Sequence, residues 1–188
     1  VTGPAAWHRR VAAPFGDRVA GVRDWDAPTP VAGWVARDVV DHLVTWLPGF
    51  LSAGGVELGP VSSVQDDPVA AWSVHADRVQ ALLESPRAEQ DFTHPHAGTR
   101  PLGKVVEDFY VADVFMHTWD LARATGQDDT LDPDFCAALL RGMQPIEDVL
   151  RSSGQYGPAV PVPDEAPVQD RLLGFIGRDP AWRPPSAP

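Results

Sequence analysis

Apolar residues in this chain recur at three- and four-residue steps over long stretches, the period of a helix with one buried face. Trp7, Val11, Phe15, Val19 and Val22 set that spacing over residues 5–22. The turn chemistry of Asp24-Trp-Asp-Ala-Pro-Thr-Pro30 stops it. Val35, Val39, His42, Trp46 and Phe50, widened by Leu43 and Leu47, predict a second helix over 35–53, with Pro48 positioned to kink or shorten it. A third opens at Asp67-Pro68, proline in its first turn, buries Val69, Trp72, Ala76, Val79 and Leu83, and ends at Ser85-Pro86. A fourth covers 102–125 and stops at the C-cap glycine Gly126. Its stripe is Val106, Phe109, Asp113, Met116 and His117, then Asp120. A fifth, over 133–151, starts at Asp132-Pro133.

Two long connections, 52–66 and 87–101, part these helices, as crossovers or site lids do. Beyond Ser152 the chain is proline-rich, interrupted by one short helix over 167–176. No internal repeat and no strand alternation stands out. The expected class is all-α: a four-helix bundle with long crossover connections over 1–151, and a Pro-rich C-terminal arm, 152–188, packed on the same domain.

A chain of 188 residues, 44% hydrophobic, suits one domain around one core. Its net charge of -11 argues against nucleic acid, whose phosphates need clustered Lys and Arg, and reads as a solubility device. No apolar run long enough to span a bilayer and no basic-then-apolar leader is present, so no membrane partner is expected. The lone cysteine, Cys136, excludes an intrachain disulfide and fits a reducing cytoplasm.

Asp113 and His117 interrupt the fourth stripe. Four residues apart, they lie one above the other on a face that otherwise reads as core, where charge is costly unless paired or bound to metal. His42 sits on the core face of the second helix. Two readings stay open. Asp113 and His117 form an ion pair and His42 is a core histidine, or the three form a two-histidine, one-carboxylate metal site. Three protein ligands leave a position for water or substrate, the mark of a catalytic site. The donors suit zinc, and also nickel, iron(II) or manganese. Asp120, three residues after His117, either orients that imidazole or pairs with Arg123 at the surface.

Other candidates read as structural. His94 and His96 fall in a Pro/Gly loop at the surface, His75 on the polar side of the third helix, and His8 near the terminus as structural or exposed. Cys136 has no activating partner in sequence and reads as packing. Trp119 reads as core or a dimer contact. No nucleophile elbow, phosphate loop or dinucleotide glycine fingerprint occurs.

Gly33-Trp-Val-Ala-Arg-Asp-Val-Val-Asp-His-Leu43 and His117-Thr-Trp-Asp-Leu-Ala-Arg-Ala-Thr-Gly-Gln127 resemble motifs of the mycothiol-dependent maleylpyruvate isomerase-like family, within the DinB/YfiT-like superfamily. Phe175-Ile-Gly-Arg-Asp-Pro180 resembles an actinobacterial subgroup. The resemblance covers about Asp24 to Pro180. It implies a four-helix bundle with a long crossover, often a homodimer. It also implies a divalent metal, usually zinc, held by His42, Asp113 and His117. Two positions depart from the pattern. Asp113 replaces a glutamate, and Val35 replaces a Ser or Thr helix cap.

The chemistry expected on this basis is transfer or isomerisation of a small-molecule substrate with a low-molecular-weight thiol, mycothiol, as co-substrate. A metal with an open position lowers the pKa of such a thiol. Arg100 or Lys104 would steer an anionic substrate. Two other functions fit the same residues: a non-catalytic module that binds a small ligand or partner, and metal-dependent hydrolysis with water in place of the thiol.

Overall fold

The computed structural model describes residues 3–185, and helices dominate them. The first three are α1 (Pro4–Gly21), α2 (Ala36–Ala53) and α3 (Pro68–Glu84). Next come α4 (Leu102–Val105), a π-helical segment (Val106–Val111) and α5 (Ala112–Thr125), joined without a break in right-handed helical backbone. Then follow α6 (Pro133–Met143), α7 (Glu147–Ser152) and α8 (Val168–Phe175). Helix α1 packs on α3 and α5, α2 packs on the same two, and α8 packs on α6. Phe15, Leu43, Leu47, Tyr110 and Trp119 are buried where these helices meet. No helix among the described residues is long and apolar enough to cross a membrane.

Local chemistry sets the helix limits. The Asp67 carboxylate accepts the Ala70 N–H at 2.9 Å and starts α3. Asp132 does the same for α6, accepting from Asp134 and Phe135 at 3.0 Å each. Gly126 ends α5 in the left-handed conformation, φ +68°. At the start of α2, Val35 has no side-chain acceptor to offer. The Asp38 carboxylate reaches back to accept the Val35 N–H at 2.8 Å, so half of a capping box survives.

Several expectations need correction. The chain does contain strands: β1 (Asp91–His94) and β2 (Gly98–Pro101) form an antiparallel hairpin with His94 opposite Gly98. Its three-residue loop closes through Gly98 at φ +68°, a turn that favours glycine there. Pro48 does not break α2, which continues to Ala53. The predicted 133–151 helix is interrupted by a 3-10 turn over Gln144–Ile146, where Pro145 has no N–H to continue the α ladder. The buried face of α3 is Pro68, Ala71, Trp72, His75, Val79 and Leu83, while Val69 is 43% exposed. The π segment turns Tyr110 inward and leaves Phe109 exposed, so Phe109 is not part of the core stripe.

Candidate metal centre

His42 comes from the middle of α2, and Asp113 and His117 from successive turns of α5. Contact between α2 and α5 brings the three side chains together. Their candidate ligand atoms all lie within 4.8 Å of one another. His42 Nε2 is 2.9 Å from Asp113 Oδ2, and His117 Nε2 is 3.5 Å from Asp113 Oδ1. Two ligands at ~2.0–2.2 Å from a tetrahedral ion stand about 3.3–3.6 Å apart. The His117–Asp113 separation has that spacing and the His42–Asp113 separation is a hydrogen-bond length, so the three residues could hold a small divalent cation.

Access is asymmetric. The His42 side chain is 31% exposed and Asp113 22%, whereas His117 is 7%. The open side is walled by aromatic rings. Trp34 stacks on His117, with ring centroids 5.7 Å apart and planes 16° apart, and tilts over His42 at 5.1 Å. It is held by backbone bonds: Thr29 N–H donates to Trp34 O at 2.9 Å and Trp34 N–H to Val31 O at 3.0 Å. Trp46, one helical turn after His42, donates its indole N–H to Asp113 Oδ2 at 2.9 Å.

Behind His117 lies a chain of charge-assisted bonds. His117 Nδ1–H donates to Asp120 Oδ2 at 2.9 Å, which leaves Nε2 facing Asp113. Asp120 is fully buried, and Arg178 clamps it with two bonds, Nε to Oδ1 at 2.9 Å and Nη2 to Oδ2 at 3.0 Å. Asp120 therefore orients the imidazole and makes no pair with Arg123. Arg123 pairs instead with Asp129 at 2.7 Å.

Electrostatics follow from this geometry. Burial pushes the Asp113 carboxyl up, but the His117 imidazole, the His42 bond and the Trp46 indole outweigh it and hold it below its ordinary value. Burial likewise opposes ionisation of Asp120, and the bonds from His117 and Arg178 win. His117 is raised because the two carboxylates overcome the penalty of its burial. Tyr156, from the C-terminal segment, is pushed up to about 12 by burial and by the Asp113 charge.

The remaining candidates sit elsewhere. Arg100 is bound to Asp108 at 2.8 Å, and Lys104 to Glu107 at 3.0 Å and Asp108 at 2.8 Å, so neither cation is left unpaired to steer substrate. His94 is not a plain surface residue: it is buried and stacks on Phe50 with centroids 3.9 Å apart. His96 lies in the hairpin turn. His8 is buried, with Nδ1–H donating to Gln80 Oε1 at 2.8 Å. His75, expected in solvent, is fully buried, and neither ring nitrogen has a partner among the described residues. Cys136 is buried packing, its thiol pushed up to about 12 by burial. Trp119 is core.

Sequence reasoning missed Trp34, Trp46 and Arg178. Trp46 shares the His42 stripe, and its indole N–H was the available signal. Trp34 stands inside the Gly33–Leu43 motif and Arg178 inside the Phe175–Pro180 segment, without a role assigned to either there.

No family model matches the chain. No solved structure matches it either. Two uncharacterized proteins of Mycobacterium tuberculosis, MT0763 of strain CDC 1551 and Rv0738 of strain H37Rv, are each 29% identical over 181 residues. The match spans 93% of this chain and 97% of each relative.

Proposed function

We propose that the chain is a mononuclear metal-dependent enzyme in which His42, Asp113 and His117 hold a divalent cation, zinc above all. The observation that carries this is convergence. Two imidazoles and one carboxylate from two helices meet at ligand spacing, with Nε2 of His117 freed for the task by the Asp120 bond. The fold reading that goes with it is a four-helix bundle of the DinB type, supported by the packing of α1 and α2 on α3 and α5.

The three ligands carry one formal negative charge, so a divalent cation there retains a positive charge and supplies Lewis acidity toward an anionic sulfur or oxygen donor. The chain's own residues do the rest. Asp120 keeps His117 in one tautomer, and Trp46 fixes the Asp113 carboxylate. Trp34 covers the imidazoles on one side and leaves His42 partly open. A half-open, aromatic-walled position suits an organic co-substrate. A low-molecular-weight thiol such as mycothiol, used for transfer or isomerisation, is the reading that agrees with the family resemblance.

Elemental analysis of protein purified without added zinc tests the site. The expected result is about one equivalent of metal per chain, lost in His42→Ala. Full occupancy in that variant sinks the assignment. Turnover assayed with and without thiol then sorts the chemistry. Thiol-independent turnover points to hydrolysis, and a metal-free chain without turnover points to a binding module.

A further inference from the structure

We infer that the C-terminal segment is a working part of the metal centre: Arg178, fixed by the turn that ends α8, is a positioning residue that sets the affinity of His117 for the cation. This rests on the metal reading above.

The link from sequence to site runs through one glycine. The end of α8 is a Schellman motif. Arg178 N–H donates to Leu173 O at 2.8 Å, and Gly177 N–H to Gly174 O at 3.1 Å. That closure needs a left-handed residue, and Gly177 has φ +85°. A Cβ on Gly177 would also stand 3.0 Å from the Pro158 carbonyl, and one on Gly174 would stand 2.6 Å from the Val160 carbonyl. The irregular stretch before α8 thus presses directly on the turn, and Val160 N–H donates to Gly174 O at 2.9 Å. Leu172 and Leu173 are fully buried and anchor the helix. The residue that emerges from this turn is Arg178.

Arg178 has one main task in the structure. Asp120 is a carboxylate with no solvent access, and Arg178 is its only cationic side-chain partner apart from the His117 imidazole among the described residues. Without the guanidinium, Asp120 would be a buried anion held by one imidazole N–H. Nothing would then fix the orientation of its carboxylate. A carboxylate free to turn no longer fixes the His117 ring or holds Nε2 towards the site. Loss of such a partner weakens metal binding by about 10–100-fold in comparable sites. A lysine cannot reproduce the two-pronged clamp, since it carries a point charge rather than a fork.

The experiment uses the full chain and measures Zn(II) affinity by chelator competition, together with the visible absorption spectrum of the Co(II)-substituted protein. Arg178→Gln should bind Zn(II) about 10–100-fold more weakly and show an altered Co(II) spectrum, with Arg178→Lys in between. Gly177→Ala, which changes no side chain of the site, should move both readouts in the same direction. Arg183→Gln, an exposed neighbour in the same segment, should change neither. Unchanged affinity and spectrum in both Arg178→Gln and Gly177→Ala overturn the inference and leave the metal reading intact. A wild-type chain that takes up neither Zn(II) nor Co(II) overturns the metal reading and this inference with it.

Discussion

Trp46 donates its indole N–H to Asp113 Oδ2, the same oxygen that His42 Nε2 approaches, and both distances are 2.9 Å. The carboxylate is therefore fixed from α2 by two groups one helical turn apart. Its other oxygen faces His117. Removing the indole N–H frees the carboxylate to rotate. Trp46→Phe keeps a ring against Phe50 and Tyr110. The variant is expected to stay folded and bind metal about tenfold more weakly, measured by chelator competition. Equal affinity would show that His42 and the backbone alone hold the carboxylate.

His75 gives a stability prediction of unusual sign. A buried polar group without a partner costs about 1–3 kcal/mol, and both its ring nitrogens are in that state. His75→Leu is expected to be neutral or to stabilise the fold by about 1–2 kcal/mol at pH 7 in urea unfolding. A clear loss of stability would reveal an internal water bound to the ring.

The same residue predicts acid sensitivity. Burial, helped by the charges of His8 and Arg78, lowers His75 from 6.5 to about 4. Between those values the unfolded chain binds a proton that the folded chain refuses. Stability therefore falls as pH drops from 6.5 towards 4, by up to about 3 kcal/mol from this group. His8, lowered chiefly by burial, acts in the same direction. His75→Leu should flatten the pH dependence of the unfolding midpoint across that window, and an unchanged slope would remove His75 from the account.

Legibility differed from residue to residue. His42, Asp113, His117 and Asp120 obey helix arithmetic, so spacing alone could nominate them. Arg178 could not be found that way, because its partner lies 58 positions earlier and only the folded chain joins them. A stripe counted from Val69 puts His75 in solvent, whereas the buried face begins at Pro68, and that shift carries His75 into the core. The hairpin leaves little trace in the sequence because each strand has four residues and only Phe92 and His94 are buried, too few to show alternation.

Gly54 predicts where the hairpin meets α2. A Cβ there would stand 2.1 Å from the buried Phe92 ring. Gly54→Ala must displace that ring, and overpacking of this kind costs about 1–3 kcal/mol. The expected readout is a lower unfolding midpoint, with a changed amide spectrum confined to the hairpin and the end of α2. A variant as stable as the parent would mean that Phe92 has another place to go.

The π segment gives the ligands of α5 their aim. Such a bulge is one residue more than an α-helix of the same span would hold. The wide turn takes up that extra residue, so the helix keeps its phase on either side; a regular α-helix with the same number of residues would swing everything on one side of the segment by about 100° about the helix axis. Leu102 and Val105 are buried before the segment, and Asp113 and His117 meet α2 after it. A regular helix could satisfy one of those groups but not both. The pairing of His42 with Asp113 is thus a matter of counting. It depends on the wide turn just before Asp113 taking up one residue that a regular helix would have to carry round its axis.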